Sequence, residues 1–382
     1  MKRWLGICLA VCLLFSALPI TAKAAGPEVK AKSALLMDIT SGTVLYEQDA
    51  HTPLAPASVT KVMTMLLIME AIDSGRISWN DTVTASEEAA AKGGSQVYLK
   101  VGEQMSVQDM VKAIAVSSAN DCACAMAEHI AGSESAFVDM MNLRAEQLGM
   151  KDTKFVNCTG LDDDPNAKEH LTSAYDIALM SRELMAKHPD IQKYTTIWMD
   201  TLRGGSFGLS NTNKMVRFYP GATGLKTGFT SGAGYCLSAT AQRDGMHLVA
   251  VVMGCETSKD RFAASKSLLD YGFASFATVQ PQPPENAQVP VVLGKADTVT
   301  VQPRENPALL VEKGQKNSVV TEYELIKSVP APVSKGQKLG MMTVKVGEQV
   351  IAQIPLVAQN EVEKRTWGDL VVELLRKLCM AK

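Results

Sequence analysis

The sequence predicts an α+β domain, then a small all-β domain and a terminal amphipathic helix. Strand-like runs occur at both ends of residues 28–275, with helical patterns between them. Short strand-like runs fill residues 287–358, and apolar residues recur at helical spacing after residue 361. A chain of 382 residues, 46% of them apolar and 20% charged, can form two folded units. We assign residues 1–24 to a signal peptide, and the folded units to 25–277, 278–358 and 359–382.

The first 24 residues have the pattern of a secretory signal peptide. Lys2 and Arg3 precede an uncharged run over 4–20, and Ala22 and Ala24 supply the small residues of a cleavage site. The run is short for a spanning helix, although an uncleaved anchor is the alternative. In both cases we expect the protein to be exported.

Charge and cysteine content exclude several kinds of partner. Loss of Lys2, Arg3 and Lys23 with the signal changes the formal net charge from −2 to −5, so nucleic acid is not expected as a partner. The six cysteines that remain form no CxxC pair. They predict small buried hydrophobes rather than disulfides or a metal site: Cys122, Cys124, Cys158, Cys236, Cys255 and Cys379.

The first domain is predicted to have strands near both ends and helices between them. Because the outer strands flank the helices, we expect them to share one antiparallel sheet. The predicted strands are 34–38, 43–46 and 248–253, and the predicted helices are 58–72, 107–130, 135–148 and 174–185.

The second domain begins after a proline-rich segment. Pro281, Pro283 and Pro284 make a stiff linker, so we place the boundary at residue 277. The strands then predicted are 289–293, 298–301, 309–311, 319–325, 341–346 and 349–354. No helical periodicity interrupts them, which predicts an all-β sandwich without catalytic residues.

The tail predicts an amphipathic helix. Its apolar positions recur every three or four residues, with basic residues among the polar ones. A helix docked on its own domain is one interpretation. We favour a helix in the membrane interface, because the tail is terminal and its apolar stripe begins with a tryptophan: Trp367, Leu370, Val371, Leu374, Leu375 and Leu378.

The segment around Ser58 predicts a nucleophile at the start of a buried helix. Ser58 and Lys61 are three residues apart, so one face of the first turn presents both. A serine needs a base, and a lysine is a base only when burial or a neighbouring cation favours its neutral form. Taken alone, an SxxK pair is a weak signal.

Two further motifs follow in order. Ser118-Ala-Asn120 comes after an apolar stretch, and Lys226-Thr-Gly228 comes after a glycine-rich segment. SxxK, SxN and KTG together are the motif set of β-lactamases and penicillin-binding proteins.

The chain resembles the low-molecular-mass penicillin-binding proteins, which are serine-type D-alanyl-D-alanine carboxypeptidases. The similarity covers roughly residues 28–380 and implies a transpeptidase-like catalytic domain, a β domain and a membrane-anchoring helix. It rests on the three motifs and on shorter similar segments at 93–96, 157–161 and 173–176.

The resemblance implies a role for each catalytic position. Ser58 would attack the carbonyl of the penultimate D-alanine in peptidoglycan stem peptides, and Lys61 would take its proton. Ser118 would pass a proton to the departing D-alanine, and Asn120 would hold the peptide amide and help to fix Lys61. β-Lactams would acylate Ser58 in the same way.

It also implies how the substrate is bound. Lys226 and Thr227 would bind the terminal carboxylate, and Gly228 would allow close approach. The backbone N–H groups of Ser58 and Phe229 would form the oxyanion hole. Phe229 departs from the family, where a polar residue or histidine often follows KTG. No cofactor or metal is implied, and the implied location is the outer face of the cytoplasmic membrane.

Several alternatives stay open at this stage. A class A β-lactamase would need a deacylating glutamate, but residues 157–165 lack an ExxLN pattern. An inactive penicillin-binding scaffold would have a broken motif. The five dispersed histidines argue against a zinc peptidase, and the aspartates at 162–164 predict a solvated loop rather than a calcium site. The sequence does not distinguish carboxypeptidase from endopeptidase action.

Overall fold

A central antiparallel sheet organises the first domain. The computed structural model describes residues 26–163 and 165–380, so the predicted signal peptide and Asp164 lie outside it. The sheet has the strand order β2-β1-β9-β8-β7. Its strands are β1 (Ser33–Asp38), β2 (Val44–Gln48), β7 (Ala222–Thr230), β8 (Gly234–Arg243) and β9 (Met246–Cys255). Leu36 of β1 lies opposite Ala250 of β9, which confirms that the outer strands share one antiparallel sheet.

Ten α-helices and five short 3-10 helices lie within the described residues. Six α-helices precede residue 188: α1 (Lys61–Asp73), α2 (Glu87–Ala90), α3 (Val107–Ser117), α4 (Asn120–Ala131), α5 (Glu134–Gln147) and α6 (Ala174–Lys187). The others are α7 (Gln192–Thr195), α8 (Met215–Phe218), α9 (Ser258–Ser275) and α10 (Trp367–Met380). Two small antiparallel sheets have two strands each: β3 (Thr82–Thr84) with β4 (Gln104–Ser106), and β5 (Met199–Leu202) with β6 (Phe207–Ser210).

The sheet is buried on both faces. In β1, Leu35 and Met37 join the core formed with the helices on one side. Leu36 belongs to the other core, which includes Leu268 of α9. Successive strand residues point to opposite faces, so this alternation places the sheet between two apolar layers. Helix α1 is buried on nearly every side, as its uniformly apolar sequence predicted.

One predicted helix is wrong. The apolar pattern over 107–130 predicted a single helix, but the chain breaks between α3 and α4. Ser118 has φ 64° and ψ 29°, a left-handed conformation that ends α3. The sequence shows no glycine or proline there, and apolar periodicity continues on both sides. The break presents Ser118 and Asn120 at a helix junction.

The second region is rich in β-structure, as predicted. Six strands share one sheet in the order β14-β16-β17-β12-β11-β15, over an apolar core that includes Leu339 and Leu356. The strands are β11 (Gln288–Val292), β12 (Thr298–Pro303), β14 (Val319–Leu325), β15 (Val329–Pro330), β16 (Lys338–Val346) and β17 (Gln349–Ala358).

The predicted boundary segment contains a strand. β10 (Phe276–Val279) pairs with β13 (Leu309–Glu312), so the strand predicted at 309–311 lies in a separate two-stranded sheet. The boundary at residue 277 itself stays a prediction.

The terminal helix exposes apolar side chains. Trp367 is 85% exposed and Leu374 is 61% exposed. Cys379 is exposed as well, because it lies on this largely exposed helix. The prediction that all six cysteines are buried is therefore wrong for Cys379. Among residues 26–163 and 165–380, no helix is both long and apolar enough to cross a bilayer.

Candidate active site

Ser58 lies in a tight turn that leads directly into α1. The turn is a 3-10 helix over Ala57–Thr60, and Lys61 begins the α-helix that follows. Lys61 Nζ donates to Ser58 Oγ at 3.1 Å. The distance is within hydrogen-bond reach, as a serine nucleophile and its base require, and a neutral Lys61 would accept the hydroxyl proton across it.

Lys61 is fully buried, and its surroundings favour the neutral amine. Burial lowers its pKa from 10.5 to about 7, although Cys158 and Asp121 oppose the shift. Its Nζ also donates to the carbonyl oxygen of Thr159 at 2.8 Å, which fixes the side chain. A lysine with this pKa can accept a proton near neutral pH.

Ser118 and Asn120 lie at the junction between α3 and α4. Both are buried, and within the described residues Ser118 Oγ and Asn120 Oδ1 have no hydrogen-bond partner. Asn120 Nδ2 donates to the carbonyl of Gly93 at 2.7 Å. This differs from the predicted contact with Lys61, whose ammonium is held by Thr159. Buried polar atoms without partners are available to a ligand.

The third motif lies on β7, against the turn that carries Ser58. A Cβ on Gly228 would lie 2.6 Å from the carbonyl oxygen of Pro56, so only glycine permits this approach. Thr227 Oγ1 hydrogen-bonds Thr212 Oγ1 at 2.6 Å, and Thr212 N–H donates to the carbonyl of Val116 in α3 at 3.1 Å. These contacts connect the KTG strand with the helix that ends at Ser118.

Phe229, the next residue on β7, is half exposed. Its ring lies 4.3 Å from the ring of Tyr235 on β8, measured between centroids. The aromatic side chain therefore lies on the surface beside the strand, which leaves its backbone N–H as the group for the predicted role.

Lys226 makes this site a candidate for anion binding. Its ammonium is buried and donates to the carbonyl of Thr227 at 2.8 Å. Burial lowers the pKa of Lys226 well below 10.5, and the positive charges of Lys61 and Arg261 lower it further. A carboxylate next to Lys226 would restore its charged form, because an opposite charge favours ionisation.

Sequence reasoning missed three supporting residues. Thr159 holds Lys61, Thr212 holds Thr227, and Arg261 donates to the carbonyl of Gly228 at 3.0 Å. Thr159 belongs to the 157–161 motif on which the resemblance rests, so the sequence carried a signal for it. Thr212 and Arg261 had none, since they reach the site only through folding.

Known proteins are similar to this chain over most of its length. The family Peptidase S11, described as D-alanyl-D-alanine carboxypeptidase, matches residues 20–257, and the C-terminal domain of penicillin-binding protein 5 matches residues 278–364. The chain belongs to the D-alanyl-D-alanine carboxypeptidase family. The resemblance stated from the motifs is thereby confirmed.

Individual relatives agree with this membership. The chain is 43% identical to D-alanyl-D-alanine carboxypeptidase DacF of Bacillus subtilis, over 89% of this chain and 90% of the relative. The crystal structure of penicillin-binding protein 5 from Haemophilus influenzae matches with TM-score 0.75 and 33% identity, covering 89% of this chain and all of that chain. Penicillin-binding protein D2 from Listeria monocytogenes, in its ampicillin-bound form, matches with TM-score 0.59 and 32% identity over 64% of this chain and 98% of that chain.

Proposed function

We propose that the chain is a serine D-Ala-D-Ala carboxypeptidase that removes the terminal D-alanine from peptidoglycan stem peptides. One observation carries the proposal: Ser58 is hydrogen-bonded to a buried Lys61 whose pKa is about 7, with the buried amine of Lys226 nearby. Family membership supplies the substrate class.

Acylation begins with Ser58 and Lys61. Neutral Lys61 takes the hydroxyl proton while Ser58 Oγ attacks the carbonyl carbon of the penultimate D-alanine. The backbone N–H groups of Ser58 and Phe229 stabilise the oxyanion of the tetrahedral intermediate. Support for this pairing is the close packing of Gly228 against the Ser58 turn.

The leaving group then departs. Ser118 relays the proton that Lys61 took from Ser58 to the nitrogen of the terminal D-alanine, the C–N bond breaks, and an ester on Ser58 remains with Lys61 neutral again. Lys226 and Thr227 bind the substrate's carboxylate, and Asn120 binds its peptide amide. Water attacks the ester carbonyl, which releases the shortened peptide and returns the proton to Ser58.

β-Lactams would follow the same first step. Their amide would acylate Ser58 and leave a blocked enzyme, as the ampicillin-bound form of the Listeria relative suggests by analogy.

Intact-mass spectrometry of the purified full-length chain tests this function. We expect a covalent penicillin adduct that is absent in Ser58→Ala, and release of one D-alanine from a peptide ending in Lys-D-Ala-D-Ala. Rapid penicillin hydrolysis without D-alanine release would instead indicate a β-lactamase. A chain that forms no penicillin adduct and releases no D-alanine would contradict the proposed enzymatic activity and would favour the inactive-scaffold alternative.

We also propose that the protein works outside the cytoplasmic membrane, with α10 in the membrane interface. The exposed apolar residues Trp367, Val371, Leu374 and Leu375 support this, since membrane lipid would cover them. Vesicles of phosphatidylcholine and phosphatidylglycerol should pellet the full-length protein and shift Trp367 fluorescence to the blue. Leu374→Glu should weaken both effects, and equal pelleting of the two proteins would contradict the proposal.

A further inference from the structure

Two side chains of the proposed site are held by carbonyl oxygens outside helices and strands. Lys61 Nζ donates to the carbonyl of Thr159, and Asn120 Nδ2 donates to the carbonyl of Gly93. Gly93 and Thr159 both lie in irregular segments. Because no helix or sheet ladder fixes these carbonyls, side-chain contacts must set their positions.

An ion pair joins the residues that precede these two carbonyls. Lys92, bonded directly to Gly93, places its Nζ 2.5 Å from Glu134 Oε2. Glu134 Oε1 accepts the backbone N–H of Cys158 at 3.0 Å and the thiol of Cys158 at 3.1 Å. Cys158 is bonded directly to Thr159. One ion pair therefore reaches both irregular segments.

We propose that Lys92 and Glu134 are a positioning pair for the carboxypeptidase reaction. The pair fixes the positions of the Gly93 and Thr159 carbonyl oxygens. It thereby holds Asn120 and Lys61 in the geometry that acylation requires. The proposal rests on the proposed function and deepens it, because neither residue touches substrate in the mechanism above.

The pair is built to stay charged. Glu134 is 9% exposed and lies in the first turn of α5, where the helix dipole favours a carboxylate. Burial opposes its ionisation, but the hydrogen bonds from Lys92 and from Cys158 outweigh burial and lower its pKa. Burial also opposes the charge of Lys92, yet Glu134, Cys124 and Glu88 raise its pKa above the ordinary value. The ion pair between Lys92 and Glu134 therefore persists at neutral pH.

The two irregular segments have little room to move. A Cβ on Gly94 would lie 2.8 Å from Asn120 Nδ2, and a Cβ on Gly160 would lie 1.8 Å from the carbonyl oxygen of Ala57. A cavity of about 290 Å³ borders the pair on its open side, lined in part by Lys92, Glu134 and Thr159. Loss of the pair would widen the access that this cavity gives water to the Thr159 segment.

Water near Thr159 would change the titration of Lys61. The ionisable groups that act on Lys61 are Cys158 and Asp121, which raise its pKa, and Lys61 in turn lowers the pKa of the neighbouring Lys226. Burial is the largest influence and lowers the pKa of Lys61 to about 7. If burial is relaxed, this pKa rises, and acylation then requires a higher pH.

The test compares four variants of the full-length chain with the wild type. Glu134→Gln and Lys92→Met remove the ion pair, whereas Lys92→Arg keeps the charge. Glu183→Gln is the matched control: Glu183 pairs with Arg144 of α5 at 2.7 Å, with its side chain 23% exposed, and touches neither irregular segment. The rate of Ser58 acylation by a fluorescent penicillin is measured per acylatable site across pH, together with Tm.

We expect Glu134→Gln and Lys92→Met to slow acylation about 10- to 100-fold, because small misplacements of reacting groups have effects of this size. The pH midpoint should move upward in both. Lys92→Arg should recover most of the rate, and Glu183→Gln should lower Tm without moving the pH midpoint.

Each outcome bears on a different proposal. A wild type that forms no adduct refutes the proposed function. An active wild type, with Glu134→Gln and Lys92→Met behaving like Glu183→Gln, overturns the positioning role. If Glu134→Gln does not fold, the difference between Lys92→Met and Lys92→Arg decides the question in the same way.

Discussion

Residues 33–265 bury charged and hydroxyl side chains among apolar ones, whereas every buried side chain described beyond residue 277 is apolar. In the first region, Lys61 and Lys226 are each about 1% exposed or less. Burying such groups costs free energy unless partners satisfy them. In the second region, residues such as Leu339 and Leu356 form a core without this cost. Among the described residues, buried charged and hydroxyl side chains, and the free-energy cost of burying them, are therefore confined to the first region.

Gly160→Ala should have the largest effect on the first region. The added Cβ would lie 1.8 Å from the carbonyl oxygen of Ala57, and φ is +80°. We expect acylation to be lost and the free energy of unfolding to fall by about 3–5 kcal/mol, because a backbone clash cannot relax cheaply. Gly102→Ala is the control: φ is +77° with nothing within 4 Å, so it should lose only about 1 kcal/mol. Penicillin labelling and urea denaturation measure both, and similar losses in the two variants would contradict the clash.

Lys226→Met should separate activity from stability. We expect turnover of a D-Ala-D-Ala peptide to fall by about 10²–10³-fold, because the charge that Lys226 would carry beside a bound carboxylate is lost. The free energy of unfolding should stay the same or rise by about 1 kcal/mol, since a buried polar amine is replaced by an apolar chain of similar length.

Peptide hydrolysis and chemical denaturation check this separation. The exposed Lys193→Met is the control and should change neither quantity. A large stability loss in Lys226→Met alone would show that the Lys226 amine stabilises the fold.

The pH dependence of acylation should report Lys61. Because the base must be neutral and its pKa is about 7, acylation slows as pH falls below that value. We expect the rate to rise about tenfold between pH 6 and pH 8. Stopped-flow labelling with fluorescent penicillin at several pH values measures it. A flat profile over this range would exclude Lys61 as the titrating base.

Leu356→Ala should have the smallest effect on acylation and a clear effect on the second region. Leu356 is fully buried in the β-domain core, so its truncation should destabilise that region by about 2–5 kcal/mol. Hydrogen exchange of the β16 and β17 amides measures the loss, and the labelling rate should stay unchanged. Val350→Ala, on the same strand but 46% exposed, is the control. Slower labelling in Leu356→Ala would show that the two regions are coupled.

The sequence alone determined the order of the two regions, the single antiparallel sheet that holds both β1 and β9, and the family. These features follow from local periodicity and from short motifs, which can be recognised in the sequence without knowing the tertiary contacts. It also identified Ser58, Lys61, Ser118, Asn120 and the KTG strand as candidates, whose catalytic roles remain a proposal.

Only the tertiary structure decided how those candidates are supported. The left-handed turn at Ser118, the Thr159 carbonyl on Lys61, and the contacts of Arg261 and Thr212 join segments far apart in the chain. The pKa of Lys61 likewise depends on burial, which packing creates. Periodicity reports which face of an element is apolar, but it does not report which distant group that face will meet.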